Sequence, residues 1–201
     1  MFQYTKQDYD EIDFGGRDLR YGELIGCTFM NCSFANAELD EITVSHCRFI
    51  GCNFRGASLN GSLHNESAYE NCNFTSANLF SAKFDTCKMT GSDFTNATLD
   101  GITMDNGDWS YTNLRNAKLA RQDLREIRFV ETDFSGAVLE KADLRKADLT
   151  MAILSGARLA GADIRGASME GIDFRTFAVT GLRMDQEQAA LLAVSHGAKV
   201  G

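Results

Sequence analysis

The chain has 201 residues, with 20 Lys and Arg against 28 Asp and Glu, so its formal net charge is −8. Such a surface repels phosphate, which excludes an ordinary nucleic-acid binder and points to a basic partner. Hydrophobic content of 44% and charged content of 24% argue for a folded domain rather than disorder. The sequence has no apolar run of the roughly 18 residues that span a bilayer and opens without a signal-like pattern, so no membrane association and a cytoplasmic location are expected.

In chain order, residues 1–11 read as an N-terminal cap segment, and from residue 12 a period of five takes over. Taking every fifth residue from Phe14 to Met184 gives 35 positions, of which 34 are apolar or aromatic; His64 is the exception. Two residues before each stands a second, mostly small class, including Ala37, Ala57, Ala77, Ala97, Ala117, Ala137 and Ala157. The remaining three positions are largely Asp, Asn, Arg, Ser, Thr and Gly. Neither the 3.6 period of a helix nor the 2.0 period of a strand fits a strict five, so a turn must recur in every unit, with two side chains in and three out.

A second period of 20 lies over the first. One column reads Phe14, Phe34, Phe54, Phe74, Phe94, and the next reads Leu19, Leu39, Leu59, Leu79, Leu99. Like stacks on like every four units, as in a solenoid with four sides per coil. The units ADLRK at 142–146, ADLTM at 147–151, ADIRG at 162–166 and ANLFS at 77–81 identify the resemblance: the chain resembles the pentapeptide-repeat family, whose pattern is A(D/N)LXX, over residues 12–184. The resemblance implies an all-β, right-handed quadrilateral β-helix. With about 4.8 Å between coils, roughly 8.5 coils give a rod about 41 Å long.

All six cysteines, Cys27, Cys32, Cys47, Cys52, Cys72 and Cys87, occupy the small inward class. The repeat accounts for their spacing, which favours buried free thiols in a reducing compartment over a metal site or disulfides. His64 interrupts the apolar column Leu24, Val44, Phe84, Met104, and the expectation is a local irregularity that turns the ring outward. Nucleophile–base constellations, metal-ligand spacings and phosphate loops are all missing from the sequence, so neither an enzyme nor a cofactor is expected.

Charge divides unevenly along the frame. Residues 1–110 hold 7 basic against 16 acidic side chains, net −9, while residues 111–201 hold 13 against 12, net +1. The candidate partner-contact set is Asp40, Asp85, Asp93, Asp100, Asp105 and Asp108; Asp85 and Asp105, four units apart, are expected to stack on one face. Any single Asp can equally be a solvated turn residue. Asp123 with Arg125, Asp143 with Arg145 and Asp163 with Arg165 predict a ladder of surface ion pairs, each worth less than about 1 kcal/mol.

After Met184 the pattern stops, and residues 185–201 predict a short α-helix with Asp185 as N-cap, Glu187 in its first turn and Gly197 beyond its end. Its apolar side, Ala189, Leu191, Leu192 and Val194, is expected to plug the last coil, to form a dimer contact, or both. Here the resemblance narrows: LRMDQEQAALLAVSHGAKVG and the earlier DFGGRDLR are similar to the MfpA-type branch, which with Qnr, AlbG and McbG interacts with DNA gyrase. That branch implies a homodimer through the C-terminal end and an acidic rod that mimics DNA on the topoisomerase. The resemblance further implies modulation of gyrase, or resistance and self-immunity to fluoroquinolones or a natural toxin. The unbroken frame departs from Qnr, whose projecting loops are tied to quinolone protection. The alternative is a pentapeptide-repeat scaffold or regulatory binding module unrelated to gyrase.

Overall fold

The computed structural model describes residues 2–200. The period of five becomes backbone geometry through one corner per unit. The second residue after nearly every central position adopts positive φ, as at Asn31 (φ 51°), Gly56 (φ 65°), Asn96 (φ 58°) and Lys146 (φ 59°), the exception before Val179 being Thr176 in a 3-10 turn, Phe174–Thr176. A left-handed residue at each corner turns the chain by one side, and four corners close a coil of four units. Asn and Gly recur at these corners because both visit that region at low cost.

Ten three-residue strands form on two of the four sides: β1 (Gln3–Thr5), β2 (Asp8–Asp10), β3 (Glu23–Ile25), β4 (Thr28–Met30), β5 (Thr43–Ser45), β6 (Arg48–Ile50), β7 (Leu63–Asn65), β8 (Ala68–Glu70), β9 (Lys83–Asp85) and β10 (Thr103–Asp105). They make parallel sheets in the orders β1-β3-β5-β7-β9-β10 and β2-β4-β6-β8. Every pairing joins positions four units apart, for example Leu24 opposite Val44 and Phe29 opposite Phe49. The other two sides carry single parallel bridges, Asp13–Ser33–Asn53–Asn73–Asp93 and Asp18–Glu38–Ser58–Asn78–Thr98. The fold is therefore a four-sided parallel β-solenoid with one short C-terminal α-helix. We call the sides first (Phe14 column), second (Leu19 column), third (Leu24 column) and fourth (Phe29 column). Pairing begins at Gln3, so the segment expected as a cap already carries rungs of the first coil.

The core follows both inward classes. Phe34, Phe54, Phe74, Phe94, Leu39, Leu59, Leu79 and Leu99 are all buried. Successive rings of the first side stack nearly parallel with centroids 4.8–4.9 Å apart, the coil spacing itself. Rings of neighbouring sides meet edge-on, as Phe29 meets Phe34 at 73°. In the small class Ala37, Ala57 and Ala77 are sealed, whereas Ala97 is partly exposed.

His64 corrects the expectation of an outward ring. The side chain is buried within a regular β7, stacked on Phe84 at 4.3 Å. Both ring nitrogens find partners, Nδ1 at 2.6 Å from the Tyr69 hydroxyl and Nε2 at 2.8 Å from Ser62 Oγ. Ser62 Oγ donates to the Leu59 carbonyl, so it must accept from Nε2–H, and Tyr69 donates to Nδ1. Every polar atom of the trio is satisfied, which makes the buried imidazole tolerable.

The tail is α1 (Gln186–Ser195). Asp185 Oδ1 accepts from the amides of Glu187 and Gln188, and Gln188 Oε1 accepts from the Asp185 amide, a reciprocal capping box. At the other end Gly197 (φ 87°) turns the chain, and the Ala198 amide reaches back to the Ala193 carbonyl. Among the described residues no helix is long and apolar enough to cross a membrane.

Candidate functional site: an acidic four-sided rod with an apolar end

Some of the acidic residues of the N-terminal half, Asp93 and Asp108 among the candidates, are held by the repeat itself. The residue before each central position points outward, and its side-chain oxygen accepts the amide two residues on: Asn53 from Arg55, Asn73 from Thr75, Asp93 from Thr95 and Asp108 from Ser110. Those amides face away from the neighbouring coils, so a short acceptor at this position completes the turn. This is the physical content of Asp and Asn in the repeat.

Of the candidate contact residues, Asp85 and Asp105 do lie in register on the third side. The rest are dispersed. Asp93 sits on the first side, Asp40 and Asp100 on the second, and Asp108 on the fourth. The set therefore surrounds the rod instead of forming one patch. Most members are also engaged within the chain. Asp40 accepts from Ser58 Oγ at 2.6 Å and the Asn60 amide at 2.9 Å. Asp105 pairs with Lys83 at 3.2 Å and Asp108 with Arg128 at 3.3 Å. Asp85 accepts from Thr86 Oγ1, and Asp100 is exposed with no side-chain partner among the described residues.

In the C-terminal half the expected ladder forms. Arg125, Arg145 and Arg165 each meet Asp123, Asp143 and Asp163 at 2.6 Å on the third side. The Arg165 guanidinium holds the Asp163 carboxyl below the usual carboxylate range. Acid and base cancel here within one unit, so this half presents little net field.

All six thiols are unpaired and buried. Several donate to carbonyls of the preceding coil, such as Cys52 to Phe29 and Cys87 to His64. Burial pushes Cys47 and Cys87 up to about 11, which leaves too little thiolate for nucleophilic chemistry. Among the described residues no group of three His, Cys, Asp or Glu is placed to hold a metal.

The end of the rod divides the tail residues differently from their hydrophobicity. Gln188 is the buried one, its Nε2 donating to the Ala167 carbonyl of the last coil at 2.9 Å. Leu191 and Leu192 are half-buried against the core, while Ala189 and Val194 are exposed. Val179, Ala189, Leu192, Ala193 and His196 line an open, almost wholly apolar hollow on the outer surface. Gln188 escaped the sequence reading because apolarity was the criterion for the plug; the legible signal was Asp185 followed three residues later by Gln, the capping-box spacing. The exposed Tyr21, Phe80 and Tyr111 escaped it too, since they stand at polar positions of the frame.

Comparison with known proteins agrees with this architecture. Models of the pentapeptide repeat region match residues 23–84 and 77–154, and a model of eight pentapeptide repeat copies matches 152–176. Among solved structures, a trypsin-treated variant of QnrB1, described as a plasmid-mediated fluoroquinolone resistance protein, superposes with a TM-score of 0.87 at 21% identity over 100% of both chains. A second trypsin-treated QnrB1 variant gives 0.76 at 24% identity over 100% of this chain and 99% of that one. Full-length QnrB1 gives 0.66 at 21% identity, covering 98% and 100%. No curated protein sequence matches. With matched repeats running from residue 23 to 176 on a continuous four-sided solenoid, the chain belongs to the pentapeptide-repeat family.

Proposed function

We propose that the protein is a non-catalytic, cytoplasmic rod that occupies the DNA-binding groove of DNA gyrase as a DNA mimic. It would thereby modulate the enzyme and confer resistance or self-immunity to gyrase poisons. The observation that carries this reading is the distribution of acid: all four sides of the segment 1–110 carry net negative charge, so it resembles a duplex in being anionic all round. A basic groove built for DNA is the complementary surface. The shared fold with QnrB1, a fluoroquinolone resistance protein, agrees with it. The apolar hollow beside α1 supports a homodimer through the C-terminal end, which would double the length of the rod.

A binding module unrelated to gyrase is the second reading, favoured by the engagement of Asp40, Asp105 and Asp108 within the chain. A supercoiling assay with purified gyrase, with and without ciprofloxacin, separates the two. Under the first reading the protein inhibits supercoiling or relieves the drug, and reversing Asp85, Asp100 and Asp105 to Lys, which moves the net charge from −8 to −2, removes the effect. No inhibition, no relief and no co-purification of gyrase establishes the second.

A further inference from the structure

An interval in the middle of the rod, like the last coil around Leu154, Leu159, Gly161, Asp173 and Ala178, lacks rungs on two adjacent sides. On the second side, bridges stop at Asn78–Thr98 and resume at Lys118–Val138; on the third, pairing stops at Asp85–Asp105 and resumes at Asp123–Asp143. One coil below the gap, Leu79 donates to the Thr98 carbonyl at 2.9 Å and Ser81 to Asp100 at 3.0 Å. One coil above, Leu119 donates to Val138 and Arg121 to Glu140, each at 2.9 Å. Between them, among the described residues, the amides of Leu99, Gly101, Met104, Asn106, Lys118 and Asp123 make no bond to the facing coil. The fourth side stays closed across the same interval, through Trp109 to Arg128 at 2.7 Å and Tyr111 to Val130 at 2.8 Å, and the first is held by Phe94 to Asn113 at 3.0 Å although the Asn96 corner amide is also open.

Two surface hollows lie over the missing rungs. A cavity of about 270 Å³ opens on the second side over Phe94, Ala97 and Leu99, with Asp100, Arg115 and Lys118 at its rim. Another of about 230 Å³ opens on the third side between Asp105 and Arg125. The partial exposure of Ala97, in a class otherwise sealed at Ala37, Ala57 and Ala77, follows from the first.

The core beneath the gap is irregular. Trp109, the largest buried side chain, projects from the fourth side where its column neighbours are Met89 and Phe129. Its ring sits 5.6 Å from Phe84, edge-on, and 5.4 Å from Phe94, tilted by 33°. It thus spans the core between the third-side and first-side columns instead of stacking on its own. Gly107 occupies the small inward position of the same unit at φ 98°, directly after the corner residue Asn106 at φ 56°, so two left-handed residues stand in succession. A Cβ on Gly107 would collide with the Cys87 carbonyl oxygen, so no other residue fits this position without a backbone shift.

We propose that this interval is a hinge: two stiff solenoid segments, residues 3–112 and 113–184, stay joined along the first and fourth sides and bend by opening and closing the second and third, with Trp109 as the wedge that holds the gap. The solenoid's stiffness comes from repeated rungs on every side, so an interval in mid-rod lacking them on two sides is a soft point. The open amides and carbonyls face water-accessible cavities, so opening exposes no unsatisfied group to a dry interior. Bending there sets the angle between the acidic segment and the C-terminal end. The inference rests on backbone geometry and stands independently of any gyrase reading.

Two doubly spin-labelled pairs, each three coils apart, test it; the six native thiols are buried and leave the introduced ones as the exposed targets. R20C/F80C lies within the lower segment, and F80C/E140C spans the gap on the same side. Pulsed dipolar spectroscopy is expected to give a narrow distance distribution for the first pair and a broad one for the second, narrowed again by W109L. Equal widths for the two pairs overturn the hinge, and a broad distribution that W109L leaves unchanged overturns the wedge. If W109L does not fold, amide exchange in the unaltered protein decides the matter. The Leu99, Gly101, Lys118 and Asp123 amides should exchange more than about tenfold faster than Leu79, Ser81, Val138 and Asp143, their equivalents one coil away. Equal protection overturns the proposal.

Discussion

His64 is the residue at which burial and titration meet. Burial holds its ring down to about 3, against about 6.5 in an unfolded chain, because the cation has no compensating charge in the core. The folded state therefore binds fewer protons than the unfolded state between pH 6.5 and 3. Stability is full above pH 6.5 and is lost as the pH falls through that window, with a slope of at most about 1.4 kcal/mol per pH unit from this one group. Replacing His64 and Tyr69 together by Phe keeps the ring stack on Phe84 and leaves no orphaned hydroxyl. Chemical denaturation between pH 4.5 and 6.5 should then show the slope of the parent reduced in the double variant; an unchanged slope would assign the acid sensitivity to the carboxylates. The period of five located His64 in a core column, yet its environment was not legible. Whether an imidazole at such a site turns inward depends on Ser62 and Tyr69, and the frame places Tyr69 on a different side of the coil, one unit along.

At the level of the element, α1 was legible in its boundaries and its caps but not in its orientation. Asp185, Glu187 and Gly197 hold the places their chemistry suits. Which face lies on the last coil was misread, because Ala189 and Val194 stay exposed while the polar Gln188 is buried. A solenoid end offers unpaired carbonyls as well as apolar surface, and the Gln188 amide satisfies one of those carbonyls while its oxygen closes the capping box. Gln188→Ala removes both bonds and leaves the Ala167 carbonyl without its donor. The expected cost is about 1–3 kcal/mol in denaturant unfolding, accompanied by loss of helical signal at the tail. Full retention of both would show that the half-buried Leu191 and Leu192 hold the helix without it.

Across the whole molecule, the acidic half and the apolar end lie toward opposite ends of one rod. If α1 forms the dimer contact, a chain ending at Met184 is expected to sediment as a monomer with its β signal retained, while the full chain sediments as a dimer. A truncated chain that stays dimeric would remove the helix from the interface. If the rod binds a basic partner, that association should weaken as salt rises, since its charges are at least partly exposed and the screening length falls to about 8 Å at physiological ionic strength.

From the sequence alone come the coil length, the two inward classes, the four-unit register and the imbalance of charge, because each repeats and a repeat leaves a readable period. The tertiary structure alone decides that Asp105 and Asp108 are partly neutralised by Lys83 and Arg128. It alone places Gln188 under the helix and opens the coils beside Trp109. Those features depend on side chains of successive coils meeting each other, and on one large ring spanning the core between columns, events that no period of five records.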